Sequence, residues 1–199
     1  MATAEPTRVQ TARYTSTEWA ELERERLWTR AWQIACTEDC VPEPGDHWLY
    51  GIADLSIVVV RGEDRRLRAF QNACPHRGNA LVTGHGRGLD RIQCAYHHWC
   101  FGLDGDLQSM SPQGEAATRG PVDDGGAKRS GVGLVAVQVG VFGGFVFVNP
   151  DSEAESLETW LEELPDELAW VGMDRYACDR FLSLIHISEP TRPLHLACA

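Results

Sequence analysis

The stretch that decides the reading runs Cys74-Pro75-His76-Arg77-Gly78-Asn79-Ala80-Leu81. After His76 come 17 intervening residues, and then Cys94-Ala95-Tyr96-His97-His98-Trp99-Cys100-Phe101. Each half offers a closely spaced Cys/His pair, Cys74 with His76 and Cys94 with His97, donors suited to a soft or borderline metal. Short β-rich runs surround them. Residues 47–52, 55–61 and 67–72 read as strands, separated by Ala53-Asp54 and by Gly62-Glu63-Asp64. A short strand is expected near residues 90–93, and residues 101–107 read as a hairpin turning at Asp104-Gly105. Two Cys/His pairs on successive loops of such a sheet can converge on one metal centre.

Working outward, Thr15-Ser16-Thr17-Glu18 has the T-x-x-E form of a capping box, with Thr15 as the cap. Trp19, Leu22, Leu27, Ala31 and Trp32 follow in an approximate helical stripe, which predicts a helix over residues 16–30. On the other side, residues 111–131 are rich in Gly, Pro, Asp and Ala and read as a long surface loop. Residues 133–139 and 144–149 alternate well enough to pair as antiparallel strands, and residues 157–163 read as a short helix. The expected fold class is mainly β: an antiparallel domain with an N-terminal helix and a short C-terminal helix.

The chain has 199 residues, 43% of them hydrophobic, enough for one solid core. Its net charge of -11 argues against a nucleic-acid partner, which needs a clustered basic surface. The charge keeps the protein soluble and allows steering of a positively patched protein partner. No apolar run approaches a membrane span, and residues 1–10 lack the apolar core of a secretory signal, so no membrane role and a cytoplasmic location are expected. In that setting the seven cysteines read as metal ligands or free thiols. Cys36, Cys40, Cys100 and Cys178 show no partner pattern and are expected to be small buried hydrophobes. His47 and His85 are expected at the surface or a strand edge, and Trp19, Trp28, Trp32 and Trp48 in packing roles.

A Cys2His2 set suits tetrahedral zinc, and a structural zinc module is one reading of Cys74, His76, Cys94 and His97. Zinc sites, however, usually open with C-x2–4-C, whereas here each loop supplies one Cys and one His. That split is what a Rieske-type [2Fe-2S] cluster needs, because one iron takes both thiolates and the other both imidazoles. Gly78, Gly84, Gly86 and Gly88 crowd the site and would let backbone N–H groups approach bridging sulfides.

The motif C-P-H-R-G-N-A-L followed by C-A-Y-H-H-W-C-F-G-L-D-G-D-L resembles the Rieske domain of ring-hydroxylating oxygenase alpha subunits. The resemblance extends from about Thr15 to about Phe181. It implies a [2Fe-2S] cofactor on Cys74, His76, Cys94 and His97, and an electron donor that is a reductase or ferredoxin. It also implies a homo-oligomer or alpha-beta oligomer at full length, and a substrate oxidised with O2 at a mononuclear non-heme Fe(II) in a separate catalytic domain. His98 departs from the family, which usually has Gly there; it is expected to be an exposed side chain with no role, the alternative being that it tightens the loop or adds a polar edge near the cluster. A stand-alone Rieske ferredoxin is the weaker alternative, since it would not need the N-terminal helix or the segment beyond Asn149. The respiratory-complex type carries two further loop cysteines and a hydroxyl donor after its second His. Here Asn79, Ala95 and Trp99 stand in those places, which implies no loop disulfide and a potential near the low end of the roughly -150 to +300 mV Rieske range.

The expected organisation is an N-terminal helical segment over 1–46, a Rieske domain over 47–150 and the start of a truncated catalytic domain over 151–181. Residues 182–192, L-S-L-I-H-I-S-E-P-T-R, resemble the conceptual translation of a sequencing-library adapter, so 182–199 are expected to be a non-native tail. No set of ligands for a mononuclear iron precedes it, and His186 and His195 lie within it. The resemblance therefore implies an electron-transfer portion that does not by itself turn over substrate.

Overall fold

The computed structural model describes residues 10–110 and 132–178. The expected loop at 111–131 and tail at 182–199 lie outside the described residues.

The organising element is the strand at Leu55–Arg61, the third in chain order. Its residues Ile57, Val58, Val59 and Val60 are all fully buried, so both of its faces are covered. Successive side chains of a strand point to opposite faces. Val58 and Val60 accordingly join a core containing Phe70, Cys74, Leu81, Ile92, Cys94 and Phe101. Ile57 and Val59 join another containing Ala35, Cys36, Val41, Ala69, Val137 and Val146. A continuous β-branched run between two cores ties the smaller lobe to the main sheet.

That main sheet has six strands. They are β1 (Gln33–Thr37), β2 (His47–Ile52), β3 (Leu55–Arg61), β4 (Leu67–Gln71), β8 (Ala136–Phe142) and β9 (Phe145–Asn149), in the antiparallel order β1-β9-β8-β4-β3-β2. The edge strands approach one another, with Tyr50 Oη donating to Gln33 Oε1 at 3.2 Å, so the sheet is strongly curled. The lobe on its far side is a three-stranded sheet of β5 (Ile92–Gln93), β6 (Cys100–Phe101) and β7 (Leu107–Ser109). Gly105 turns the β6–β7 hairpin at φ +88°, and its missing side chain leaves room for the Phe70 ring. A third cluster packs Trp32 and Phe147 against Leu157 and Leu161.

The fold is mainly antiparallel β, as expected, and β2 and β3 have the expected bounds. The helical parts differ. A short helix α1 (Ala12–Thr15) precedes α2 (Thr17–Glu23), which runs into a π-helical turn at Arg24–Trp28. The N-cap of α2 is Ser16 rather than Thr15, and it makes no side-chain capping bond. Thr15 instead belongs to α1, its hydroxyl donating to the Thr11 carbonyl. Neither helix buries a residue, and Trp28 is 37% exposed rather than packed in a core. Trp32 is buried and donates Nε1–H to the Glu155 carbonyl, and Arg13 lies over the Trp19 ring at 4.7 Å. Near the C-terminal end, α3 (Leu157–Leu161) is capped by Ser156 Oγ, which accepts from Thr159 N; α4 (Leu164–Leu168) follows it. Cys36 and Cys100 are buried as expected, whereas Cys40 and Cys178 are half-buried. No helix among the described residues is long and apolar enough to cross a membrane.

Candidate metal centre

The four candidate ligands of the sequence lie on two facing loops, where the two cysteines meet each other and the two histidines meet each other. Cys74 and His76 lie on the loop that leaves β4, and Cys94 and His97 on the loop of the β5–β6 hairpin. The two loops share one hydrogen-bond design. In the first, Cys74 N donates to the Asn79 carbonyl and Gly78 N to the Cys74 carbonyl, each at 2.8 Å. In the second, Cys94 N donates to the Trp99 carbonyl at 2.8 Å and His98 N to the Cys94 carbonyl at 3.0 Å. The residue four after each cysteine is left-handed, Gly78 at φ +70° and His98 at φ +58°. His98 thus occupies a conformation that favours glycine. Its side chain is exposed, as expected.

The residue five after each cysteine reaches across to the opposite loop. Asn79 Nδ2 points at Cys94 Sγ at 3.8 Å. Trp99 stacks on His76, with centroids 4.9 Å apart and planes 4° from parallel. These reciprocal contacts fix the loops relative to each other.

The donors divide into pairs. Both cysteines are buried, at 3% and 1% exposure, and their thiols interact directly. The imidazoles lie outward: His76 is exposed, His97 half-buried, and their ring centroids are 4.6 Å apart. Among the described residues no three His, Cys, Asp or Glu side chains converge as a single-ion site. A pair of buried thiols beneath a pair of surface imidazoles fits a two-iron cluster, in which each iron takes one pair.

Electrostatics distinguish the two thiols. Burial pushes the Cys74 thiol up and outweighs the lowering hydrogen bonds from the His76 and Arg77 backbone. Burial also acts on Cys94, but the N–H groups of Tyr96 and His97, the Cys74 thiol and the Asn79 amide together hold it below its ordinary value. His97 is held low, first by desolvation and then by the nearby positive or protonatable groups of His76, Arg77 and His98. A neutral imidazole is the form that ligates metal.

His47 and His85 serve the scaffold. His47 is buried rather than superficial; its ring fills the space beside Gly86, and its backbone exchanges two hydrogen bonds with that residue. His85 stacks on Trp48 at 3.6 Å and accepts the Leu49 N–H at Nδ1. Both contacts pin the long loop between the ligand pairs to β2. Two further anchors were not evident from the sequence. Buried Asp46 accepts from Gly88 N and Glu43 N, and buried Asn72 bonds the same long loop just before Cys74. Asn72 immediately follows a strand and precedes a ligand by two residues, which is the one signal the sequence offered.

Comparison with known proteins agrees with this geometry. Residues 31–122 match the Rieske [2Fe-2S] domain. The chain is 34% identical over 155 residues to the carnitine monooxygenase oxygenase subunit of Acinetobacter pittii (strain PHEA-2), covering 78% of this chain and 40% of that protein. It is 32% identical over 141 residues to the biphenyl dioxygenase subunit alpha of Paraburkholderia xenovorans (strain LB400), covering 71% and 31%. Among solved structures, a quaternary ammonium Rieske monooxygenase in complex with gamma-butyrobetaine superposes with a TM-score of 0.69 at 32% identity, over 86% of this chain and 48% of that one. The chain thus contains a Rieske [2Fe-2S] domain and is related to the oxygenase subunits of Rieske monooxygenases and dioxygenases. It spans about 40% of the length of the first curated relatives it matches.

Proposed function

We propose that Cys74 and Cys94 hold one iron of a [2Fe-2S] cluster, that His76 and His97 hold the other, and that the chain is the electron-accepting portion of an oxygenase alpha subunit. The observation that carries this reading is the division of the donors into a buried thiol pair and an outward imidazole pair. When bound, such a cluster supplies one-electron transfer. The chain's own residues do the rest. The loop N–H groups and the Asn79 amide favour the thiolate form of Cys94. Trp99 orients the His76 ring, and the apolar residues Leu81, Ile92 and Phe101 keep water from the sulfur side. The outward histidines would face a docked protein.

In the whole protein, electrons would come from a reductase or ferredoxin and pass to a mononuclear iron in a catalytic domain whose beginning is residues 151–181. The Rieske domain proper would be 47–150, behind the segment 1–46, which also contributes β1. The activity would be O2-dependent oxidation of a small organic molecule by a cytoplasmic oligomer. One related quaternary ammonium Rieske monooxygenase is described with inter-subunit electron transfer, which supports an oligomer here. A structural zinc module is disfavoured by the pairing of the donors.

The test is ligand replacement in protein matured with iron and sulfide. Cys74→Ser should abolish the visible iron-sulfur absorption. His97→Cys should move the spectrum toward an all-cysteine cluster or lose it. Unchanged spectra in both variants would refute the ligand assignment.

A further inference from the structure

We infer that Asn72 is a positioning residue for the cluster, a clamp that sets the long ligand loop against the sheet; the inference rests on the ligand assignment proposed above. Asn72 is 6% exposed and lies one residue past the end of β4, two before Cys74. Every polar atom of its side chain is engaged. Oδ1 accepts from Leu81 N at 3.0 Å and Val82 N at 2.9 Å, and Nδ2 donates to the Val82 carbonyl at 2.8 Å and to Ser56 Oγ at 3.1 Å. Its backbone N–H donates to the Ser56 carbonyl at 2.7 Å. One side chain therefore ties together three pieces of chain: the start of β3 at Ser56, the strand leading into Cys74, and the loop that runs on toward Cys94.

The position of that loop bears directly on the sulfurs. Leu81, whose N–H Asn72 holds, packs in the same buried cluster as Cys74 and Cys94. A buried amide with all its partners is rigid, and losing it would leave the Leu81 N–H unpartnered in the core and the Val82 N–H and carbonyl unpartnered at its edge. The loop would then shift to reach water. The apolar lid over the thiolates and the spacing of the two ligand pairs would shift with it. Groups outside the ligand set that fix the ligands in this way govern metal affinity and electronic properties.

The experiment compares the full chain with Asn72→Leu, which keeps the branched shape and removes all four side-chain bonds, and with Asn72→Asp, which keeps the acceptor for Leu81 and Val82. Iron release to a chelator and the electron paramagnetic resonance spectrum of the reduced protein are recorded beside the melting curve. Asn72→Leu should release iron roughly 10-fold faster than wild type and show displaced g-values. Asn72→Asp should restore the retention and line shape in part, since it keeps the acceptor for Leu81 and Val82 N–H but sets its second oxygen against the Val82 carbonyl. Should Asn72→Leu not fold, Ser56→Ala, which removes only the Nδ2–Oγ bond, should give a smaller change in the same direction in both readouts. A lowered melting temperature with iron release and g-values identical to wild type, in Asn72→Leu or failing that in Ser56→Ala, would overturn the positioning role. A wild-type protein that takes up no cluster would instead overturn the ligand assignment, so the two failures are distinct.

Discussion

His98 stands in the second ligand loop where Gly78 stands in the first: each donates its N–H to the carbonyl of the cysteine four residues earlier, and each is left-handed. A side chain in that conformation costs of order 1 kcal/mol, less for His than for a branched residue. His98→Gly should therefore be neutral to stabilising, by up to about 1 kcal/mol, the gain being reduced by the greater freedom of glycine in the unfolded chain. Denaturant midpoints check this. A loss of stability above 1 kcal/mol would mean that the exposed imidazole makes a contact of its own.

Trp99 and Asn79 bridge the loops in opposite directions, and their replacement should separate two effects. Asn79→Ala removes one weak donor to the Cys94 sulfur. A net hydrogen bond of about 1 kcal/mol corresponds, for one electron, to roughly 40 mV, and the potential should fall by up to that amount. Trp99→Ala leaves the Asn79 donor in place but frees the His76 ring, so the expected change is faster loss of cluster together with about 2 kcal/mol of stability from the lost burial. Voltammetry and thermal melts distinguish the two variants.

The wild-type potential itself should lie near the low end of the roughly -150 to +300 mV Rieske range. Trp99 offers no hydroxyl to the cluster, and every cysteine among the described residues is free, so no disulfide braces the loops. A measured potential well above zero would contradict this argument from hydrogen bonding.

Cys36 should behave unlike the half-buried thiols outside the site, Cys40 and Cys178. Burial, reinforced by the neighbouring Cys40 thiol, pushes it up to about 12. Its neutral form is favoured in the folded chain relative to an unfolded value of about 8.5. The resulting contribution to stability is complete below about pH 8.5 and is lost as pH rises toward 12. At pH 8, alkylation mapped by mass spectrometry should label half-buried Cys40 and Cys178 well before Cys36. Equal labelling would show that β1 opens readily.

How much of this was legible beforehand varied with how local each interaction is. The β-branched run at 57–60 and the turns flanking it gave β2 and β3 with their observed bounds, because period and turn chemistry are properties of the segment itself. β1 was missed. It has five residues and a bulge between Ile34 and Cys36, and it exists through pairing with β9, more than a hundred residues away in sequence. The N-terminal helix is shorter than its pattern predicts for a related reason. Its stripe of Trp and Leu residues has the right period, yet Leu27 and Trp28 are largely exposed, and the chain winds into a π turn instead. Of the site, the four candidate residues Cys74, His76, Cys94 and His97 were readable from spacing and residue type. Asn72, Asp46 and the burial of His47 were not, since each depends on which loop the fold returns to that position.

The most direct test of the central claim is the metal and acid-labile sulfide content of the purified chain, expressed with iron and sulfide available. The account predicts two irons and two sulfides per chain, the composition of a [2Fe-2S] cluster, in a red-brown protein. One zinc per chain with no labile sulfide would contradict it.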